Sequence, residues 1–166
     1  MANHPLTPSD SKRVTVCSRD EVIGLSNAVT HITVSNKCGN DESLIVLDMS
    51  RFAYLREFVV GDECFFYVNE LKLIGLNRLV KVVIGKKSFT RKKDGGASDP
   101  NHHFYLKDCP KIRELVVGLY SFSDYTVCEI ENVDALEVIE IGDLGVVSDN
   151  FFYSSLQLKS VVVVSK

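Results

Sequence analysis

One short phrase recurs along the chain and constrains its fold more than any other feature. It reads Ile112-Arg-Glu-Leu115-Val-Val117-Gly118, and close variants start at Leu55, Leu79, Leu136 and Leu158. The five starting residues are separated by 24, 33, 24 and 22 positions. Such a period is the signature of stacked repeats, in which each unit buries its apolar side against its neighbours. The sequence therefore predicts a β-rich solenoid of about six short coils with two strand segments each and little helix.

A second segment precedes each phrase and alternates apolar with polar residues. Cys128-Glu-Ile130-Glu is the clearest case, and segments at the same spacing begin at Leu47, Leu71, Phe104 and Asn150. Alternation with period two indicates a strand with one buried side. The phrase itself then supplies the second strand, and its closing glycine supplies a tight turn. The residues predicted to point inward from the phrase strands are Phe58, Val60, Val82, Ile84, Leu115, Val117, Ile139, Ile141, Val161 and Val163.

A phenylalanine follows three of the phrases at a fixed distance. Phe65, Phe89 and Phe122 each lie 10 residues after the first residue of their phrase. A ring at one place in every coil is expected to stack into an aromatic ladder. The last coils carry Gly142 to Asp149 at this place, so the ladder is expected to stop before them.

The organisation expected from these patterns is one repeat domain preceded by an arm. Residues 1–11, rich in proline and serine, are expected to form a flexible N-terminal arm. The repeat domain spans residues 12–166, with degenerate first coils over 12–50 and regular coils over 51–166. A polar, glycine-rich insertion at about 90–101 accounts for the 33-residue interval and is expected to form a surface loop.

Cys109-Pro-x-Ile112-x-x-Leu115-x-Val117-Gly118-x-x-Ser121-Phe122 resembles the leucine-rich repeat, above all the BspA-type variant found in bacteria and protists. The similarity extends over roughly 29–164. The chain departs from the common leucine-rich pattern because glycine stands where an asparagine follows the core strand. The resemblance implies a solenoid used for protein–protein contact, with no catalytic residues and no cofactor.

Composition excludes several other classes of function. A net charge of -3 argues against a nucleic-acid-binding protein, which usually carries a basic excess. No apolar run approaches the roughly 20 residues that cross a bilayer, so no membrane partner is expected. The five cysteines are odd in number and lack C-x-x-C spacing, which favours reduced thiols in a cytoplasmic protein. A cell-surface location stays open if a leader is missing. No enzymatic motif is present, although a thiol-dependent enzyme remains a rival hypothesis.

The outward side of the phrase strands is the candidate binding surface. If the inward set is correct, Val59, Val83 and Val116 form one outward row, bordered by a second row of Glu57, Lys81 and Glu114. Adjacent apolar side chains that face solvent can mark a contact site. The alternative is that valine is there only because it suits strands. We therefore expect this face to bind another protein, whose identity the sequence does not give.

Two further surfaces compete with that face. The basic segment Lys86, Lys87, Arg91, Lys92 and Lys93 could hold an anionic partner, but it is also explained as a solvated loop. The last coil, Leu158 to Lys166, has no polar cap, so self-association through this end is the alternative function. The adjacent His102 and His103 are expected in a solvated loop and not at a metal.

Overall fold

The computed structural model describes residues 12–91, 101–143, 145–152 and 154–159. The described residues form eleven strands and one short helix. In chain order these are β1 (Arg13–Val16), α1 (Arg19–Ile23), β2 (His31–Val34), β3 (Val46–Asp48), β4 (Glu57–Val60), β5 (Glu70–Ile74), β6 (Lys81–Ile84), β7 (His103–Lys107), β8 (Glu114–Val117), β9 (Val127–Glu131), β10 (Val138–Ile141) and β11 (Ser155–Lys159).

The strands assemble into two sheets in which every pairing is parallel. The six-stranded sheet has the order β1-β2-β4-β6-β8-β10, and the five-stranded sheet has the order β3-β5-β7-β9-β11. From β3 onward the chain alternates between the sheets, so each strand pairs with the strand two elements further on. Parallel neighbours need a long connection, and here a strand of the other sheet lies within that connection.

The fold class predicted from the repeats, a leucine-rich-repeat-like β-solenoid, is wrong. A leucine-rich repeat combines one strand with a helix or 3₁₀ segment, so its units build a single sheet. Here both segments of a repeat are strands, and they enter two separate parallel sheets of six and five strands. Within the described part of the chain, the only helix is the five-residue α1. The protein is therefore mainly β, with two parallel sheets.

The core lies between the two sheets and is apolar. Leu55, Leu79 and Ile112, which begin three of the phrases, are fully buried. The predicted inward residues of β4, β6 and β8 are also at most 2% exposed, which confirms the strand phase there. The prediction is wrong for β10, where Ile139 and Ile141 are 45% and 40% exposed. Val161 and Val163 lie outside the described residues.

The register of the last pair of strands corrects the fifth repeat. Leu158 pairs with Ile130, and Leu156 pairs with Cys128. Leu158 therefore belongs to the alternating segment of its repeat and does not begin a phrase, so the assignment of Asn150 to that segment is also wrong. Thirteen residues separate β10 from β11, whereas nine separate β4 from β5 and β8 from β9, and this extra length shifts the register that a gap-free alignment assigns.

Stacked phenylalanines run through the molecule at the turn after each phrase strand. Ring centroids are 5.1 Å apart for Phe65 and Phe89, 4.8 Å for Phe89 and Phe122, and 5.0 Å for Phe122 and Phe151. The predicted ladder is confirmed, but its predicted end is wrong because Phe151 continues it. All four residues have φ between 50° and 58°. Left-handed backbone costs a non-glycine residue about 1–2 kcal/mol, a cost that ring stacking and burial offset.

The glycines of the same turns are required by close approach between repeats. A Cβ on Gly85 would lie 2.5 Å from the backbone of Gly61, and one on Gly118 would lie 2.7 Å from the backbone of Gly85. Beside these glycines, Ser88 donates a hydrogen bond to the Gly61 carbonyl at 2.8 Å and Ser121 donates to the Gly85 carbonyl at 2.6 Å. The turns are thus tied to one another by hydroxyl groups.

The first unit differs from the later ones, because α1 follows β1 where a second strand follows each later strand of the six-stranded sheet up to β10. Ser18 begins α1 with a capping box, in which its hydroxyl accepts from the Glu21 N–H and the Glu21 carboxylate accepts from the Ser18 N–H. Cys17 and Cys38 form a disulfide. The expectation that all the thiols are reduced is therefore wrong for this pair. Their Cα atoms are 4.6 Å apart, a proximity created by the pairing of β1 with β2 that spacing alone does not reveal.

Two predicted segments cannot be compared with the structure. The arm, residues 1–11, and most of the insertion, residues 92–100, lie outside the described residues. A search of the described part of the chain finds no helix with the length and apolar character of a membrane span.

Candidate functional site

The predicted valine row is continuous across three neighbouring strands. Val59 of β4 pairs with Val83 of β6, and Val83 pairs with Val116 of β8. All three side chains point away from the core and are half-buried by their neighbours on the sheet. Thr33 and Glu140 continue the row on either side and are exposed. The sheet therefore presents an apolar strip with polar ends.

A charged row runs beside this strip in the same register. Glu57 pairs with Lys81, and Lys81 pairs with Glu114. The Lys81 Nζ lies 3.0 Å from the Glu114 Oε2, with 38% and 35% of the two side chains exposed. An ion pair this open contributes at most about 1 kcal/mol to stability. Its charges border the valines and remain accessible to a partner.

His31 ends the charged row next to Glu57. Burial is the main cause that lowers the pKa of His31, and the positive charge of Arg13 adds to it, while Glu57 opposes both. The imidazole is therefore mostly neutral at pH 7. Its Nε2 lies 3.9 Å from the Glu57 carboxylate, and its Nδ1 lies 2.8 Å from the Thr30 hydroxyl. When the pH falls below this lowered pKa, the His31 imidazole gains a proton and adds a positive charge at this end of the row.

The outward side of the five-stranded sheet has a different character. Lys107 contacts Glu129, and its Nζ lies 3.7 Å from Glu131. Tyr105 lies in the middle of the face, with its hydroxyl 2.6 Å from the His103 Nδ1 and the Lys107 ammonium 5.1 Å from its ring centroid. Burial raises the pKa of Tyr105, and the nearby Glu129 adds to the effect. These groups already bind one another, so this face offers fewer open contacts than the valine strip.

The basic segment is only partly described. Lys86 and Lys87 are exposed at the turn after β6. The Arg91 guanidinium lies 5.4 Å above the Tyr67 ring centroid, with its Nη2 3.4 Å from the Asn69 Oδ1, and the Arg91 backbone N–H donates to the Asp124 Oδ2 at 3.4 Å. Lys92 and Lys93 lie outside the described residues. The described cations therefore form no enclosed anion site.

The three free cysteines lie in the core. Cys64, Cys109 and Cys128 are at most 1% exposed. Burial raises the pKa of Cys109 to about 11 and that of Cys128 to about 12. The thiolate is the reactive form of cysteine, and such burial disfavours it at neutral pH. Among the described residues, no group of three His, Cys, Asp or Glu side chains is arranged to hold a metal ion.

A buried histidine–aspartate pair was missed by the sequence interpretation. His102 was expected in a solvated loop, but it is 4% exposed, and its Nδ1 lies 3.5 Å from the Oδ2 of Asp124, which is 2% exposed. Burial opposes ionisation of Asp124, yet hydrogen bonding to His102 and the histidine charge lower its pKa overall. The sequence does contain a signal for this burial. His102 lies two residues before Phe104 and four before Leu106, so the alternation of side chains along a strand places it on the same inward side.

Comparison of the chain with known protein families, with characterised proteins and with solved structures finds no match. The leucine-rich-repeat resemblance therefore remains a prediction from the motif. The properties of the valine strip and of the other described surfaces must carry any functional argument.

Proposed function

We propose that the outward face of the six-stranded sheet binds another protein through Val59, Val83 and Val116. The observation that carries the proposal is the register, because Val59 pairs with Val83 and Val83 pairs with Val116. Neighbouring strands lie about 4.8 Å apart, so the three side chains make one unbroken apolar strip. The proposal includes no catalytic step, cofactor, membrane or nucleic acid.

The charged row beside the strip supports this assignment. Glu57, Lys81 and Glu114 border the valines with charges of alternating sign. An apolar centre excludes water from a contact, while a charged border selects partners by complementary charge. A partner with an apolar ridge and the opposite order of charges fits both rows.

The experiment that tests this proposal replaces the centre of the strip by charge. Val83→Lys and Val116→Lys, made together, place two ammonium groups where a partner would exclude water. We expect the melting temperature to change by less than about 5 °C, since the side chains already reach solvent. A photoreactive amino acid at Thr33, at the end of the strip, is expected to cross-link a partner from a cell extract, and the double variant is expected to lose that product.

A matched control comes from the other sheet. Val127 of β9 is also an outward valine, but it belongs to the five-stranded sheet. Val127→Lys places the same ammonium group on the outward side of the other sheet and should leave cross-linking from Thr33 unchanged. Undiminished cross-linking in the double variant would contradict the proposal and direct attention to Lys86, Lys87 and Arg91.

A second candidate function, self-association, is favoured by the exposed residues of the last strands. Leu156 and Leu158 of β11 are 55% and 58% exposed, although they extend the columns of the buried Cys128 and Ile130. Sedimentation velocity over a range of concentrations tests this candidate. Changing both leucines to lysine should abolish oligomers if this end is the contact, whereas Gln157→Lys on the same strand should not.

The disulfide bears on the compartment. The absence of paired cysteine spacing is one ground on which the sequence predicts a cytoplasmic protein, and the bond between Cys17 and Cys38 removes that ground. Disulfides persist in oxidising compartments and are rare in the cytosol, which favours the cell-surface alternative. Alkylation of free thiols in protein taken directly from cells, followed by mass spectrometry, tests this. Labelling of Cys17 and Cys38 without prior reduction would restore the cytoplasmic interpretation.

A further inference from the structure

A groove separates α1 from the free edge of the five-stranded sheet. It has a volume of about 450 Å³, within the range of ligand-binding clefts. Its lining comes from α1, from β3 and from the segments on either side of β3. We call it the α1–β3 groove. It lies at the side of the molecule where β3 has β5 as its only strand neighbour among the described residues.

The hydrogen bonds between β3 and β5 show which backbone groups face the groove. The Met49 N–H donates to the Lys72 carbonyl at 3.0 Å, and the Ile45 carbonyl accepts from the Asn69 N–H at 2.8 Å. In a strand of a parallel sheet, the N–H and C=O of one residue point to the same side, and those of the next residue point to the opposite side. Ile45, Leu47 and Met49 therefore turn their backbone groups towards β5.

By the same alternation, the backbone groups of Val46 and Asp48 point to the groove side. Their N–H and C=O groups bond to no other strand in the described part of the chain. Such a row of open donors and acceptors is a template for one more strand. Beyond β3, α1 forms the opposite wall, and it presents no strand edge of its own.

The side chains around the groove add apolar surface and two guanidinium groups, those of Arg19 and Arg51. Ile23, Ile45 and Val46 are 49%, 42% and 44% exposed at its rim. The Arg19 Nη1 lies 3.2 Å from the Asp20 Oδ1, whereas its Nε is buried without a hydrogen-bond partner among the described residues. A buried guanidinium N–H without an acceptor is costly. A carboxylate is the acceptor that matches it best.

We propose that the α1–β3 groove binds an extended peptide segment of a partner protein, which adds to β3 as a further strand and carries a carboxylate that accepts from Arg19. The segment pairs its backbone with Val46 and Asp48. Its apolar residues alternate along the strand, because every second side chain meets the apolar rim. This surface lies on the other sheet from the valine strip, so it does not depend on the function proposed above.

The chemistry of the groove selects this occupant over other protein elements. A helix satisfies its own backbone groups and would leave those of Val46 and Asp48 without partners. An extended segment supplies donors and acceptors at the strand spacing, and strand addition is an established mode of peptide recognition. The carboxylate then fixes the position of the segment along β3.

The test uses the full chain with its disulfide intact and a phage-displayed library of random nonapeptides. We expect enriched peptides to alternate apolar residues and to contain aspartate or glutamate. The most enriched peptide, made synthetically with a fluorescein label, is then measured by fluorescence anisotropy. Failure to enrich any peptide with this pattern would overturn the proposal.

Two substitutions at one exposed residue separate backbone pairing from side-chain contact. Val46→Pro removes the groove-facing N–H without removing a bond to β5, and edge strands tolerate proline. Val46→Thr keeps that N–H and the branched shape. We expect Val46→Pro to weaken the peptide by about tenfold or more and Val46→Thr by less than about threefold. Equal affinities of the proline variant and the unchanged protein would overturn the proposal.

Arg19→Gln, and a peptide with its carboxylate replaced by an amide, test the charge contact. Each change should weaken binding about tenfold, and the two together should weaken it no further. If Val46→Pro does not fold, a peptide N-methylated at single backbone positions replaces it and leaves the protein unaltered. Binding that appears only after removal of residues 1–11 would assign the groove to the chain's own N-terminal segment and overturn the proposal.

Discussion

At the N-terminal end of the two sheets, α1 lies across the groove from β3, and a disulfide joins Cys17 to Cys38. The Arg51 guanidinium joins the two elements by donating to the carbonyls of Val22 and Ile23, at 3.0 Å and 2.9 Å. At the opposite end, β10 and β11 leave the apolar Ile139 and Leu158 45% and 58% exposed. At the first end a short helix interrupts the alternation of strands, and at the other end the last strands of the repeat are themselves exposed.

The difference shows what makes an apolar repeat position a core position. Ile139 pairs with Leu115 in the parallel register, and both come from the same place in the repeated phrase. Leu115 is 1% exposed, whereas Ile139 is 45% exposed. The chemistry of the two residues is nearly the same, so the presence of a further unit decides their burial. Substitutions at matched positions measure this difference directly.

The largest expected effect is at the middle of the six-stranded sheet. Leu115→Ala removes a buried side chain and leaves a cavity, which should lower the free energy of unfolding by about 2–5 kcal/mol. Ile139→Ala, one strand away, should cost less than about 1 kcal/mol because its side chain already reaches water. Urea titration followed by circular dichroism measures both. Equal losses at the two positions would mean that the last unit is as well covered as the middle.

The disulfide should give the next largest effect. Cys17 and Cys38 are 21 residues apart, and closing a loop of this size stabilises a protein by about 3 kcal/mol through the unfolded state. Changing both to serine should therefore lower the free energy of unfolding by about 2–4 kcal/mol, measured by thermal and urea unfolding.

Reduction of the unchanged protein supplies the control for this prediction. Dithiothreitol should shift its unfolding to that of the double serine variant and leave the variant unaffected. A variant as stable as the oxidised protein would show that the N-terminal end depends on α1 and Arg51, and not on the cross-link.

Gly39 should give a smaller loss at the same end. It has φ of 70°, and a Cβ there would lie 2.3 Å from the Phe65 ring, the first ring of the ladder. Gly39→Ala combines backbone strain with a displaced ring and should cost about 2–3 kcal/mol. Gly75 has φ of 68° and no atom within 4 Å of its Cβ position. Gly75→Ala therefore isolates the strain, about 1 kcal/mol, and equal losses would show that the ring moves freely.

Arg51 tests the link between α1 and the sheet. Arg51→Ala removes the donors to the carbonyls of Val22 and Ile23 and should cost about 1 kcal/mol, a modest value because the side chain is exposed. Arg51→Lys offers one compact ammonium in place of the planar fork and should recover only part of this loss. Hydrogen exchange at the amides of α1 should rise in the alanine variant, while β6 should be unchanged.

Much of the local structure followed from period alone. The strands β4, β6 and β8 begin two residues after Leu55, Leu79 and Ile112, and their inward residues are the predicted ones. Adjacency of Val59, Val83 and Val116 followed from the same spacing, because equal repeats align equal positions. The aromatic ladder needed only the constant distance from the phrase to the phenylalanine.

What depended on the whole assembly was not predicted. The fold class was wrong because spacing shows that two strands recur but not that each type joins a full sheet of its own. The pairing of Cys17 with Cys38 needed the register of β1 on β2. The shift at Leu158 came from a turn of changed length, which a gap-free alignment cannot reveal. The α1–β3 groove depends on where a non-repeating helix lies.

The smallest expected effect is a difference between two buried cysteines, Cys128 and Cys109, in the rate at which local opening of the fold exposes them. Cys128 lies on β9 and pairs with Leu156 of the neighbouring β11, and Cys109 lies between β7 and β8 in the chain. Burial raises the pKa of Cys109 to about 11 and of Cys128 to about 12. Both thiols are therefore protonated in the folded protein at pH 8, and each reacts only when its surroundings open.

Opening of the exposed end uncovers Cys128 without unfolding the middle, so a disulfide reagent should label Cys128 about tenfold faster than Cys109 despite its higher pKa. Folding raises the pKa of both thiols, so the stability that comes from keeping them protonated is fully present below their pKa in the unfolded chain, near 8.5–9. This stability is lost as the pH rises towards 11–12. The rates are measured by quenched labelling and mass spectrometry at pH 8, with Leu158→Ala as the variant that should speed Cys128 alone. Equal labelling of the two cysteines would show that the end of the sheets opens only when the whole protein unfolds. The two ends would then differ in exposed apolar surface but not in local stability.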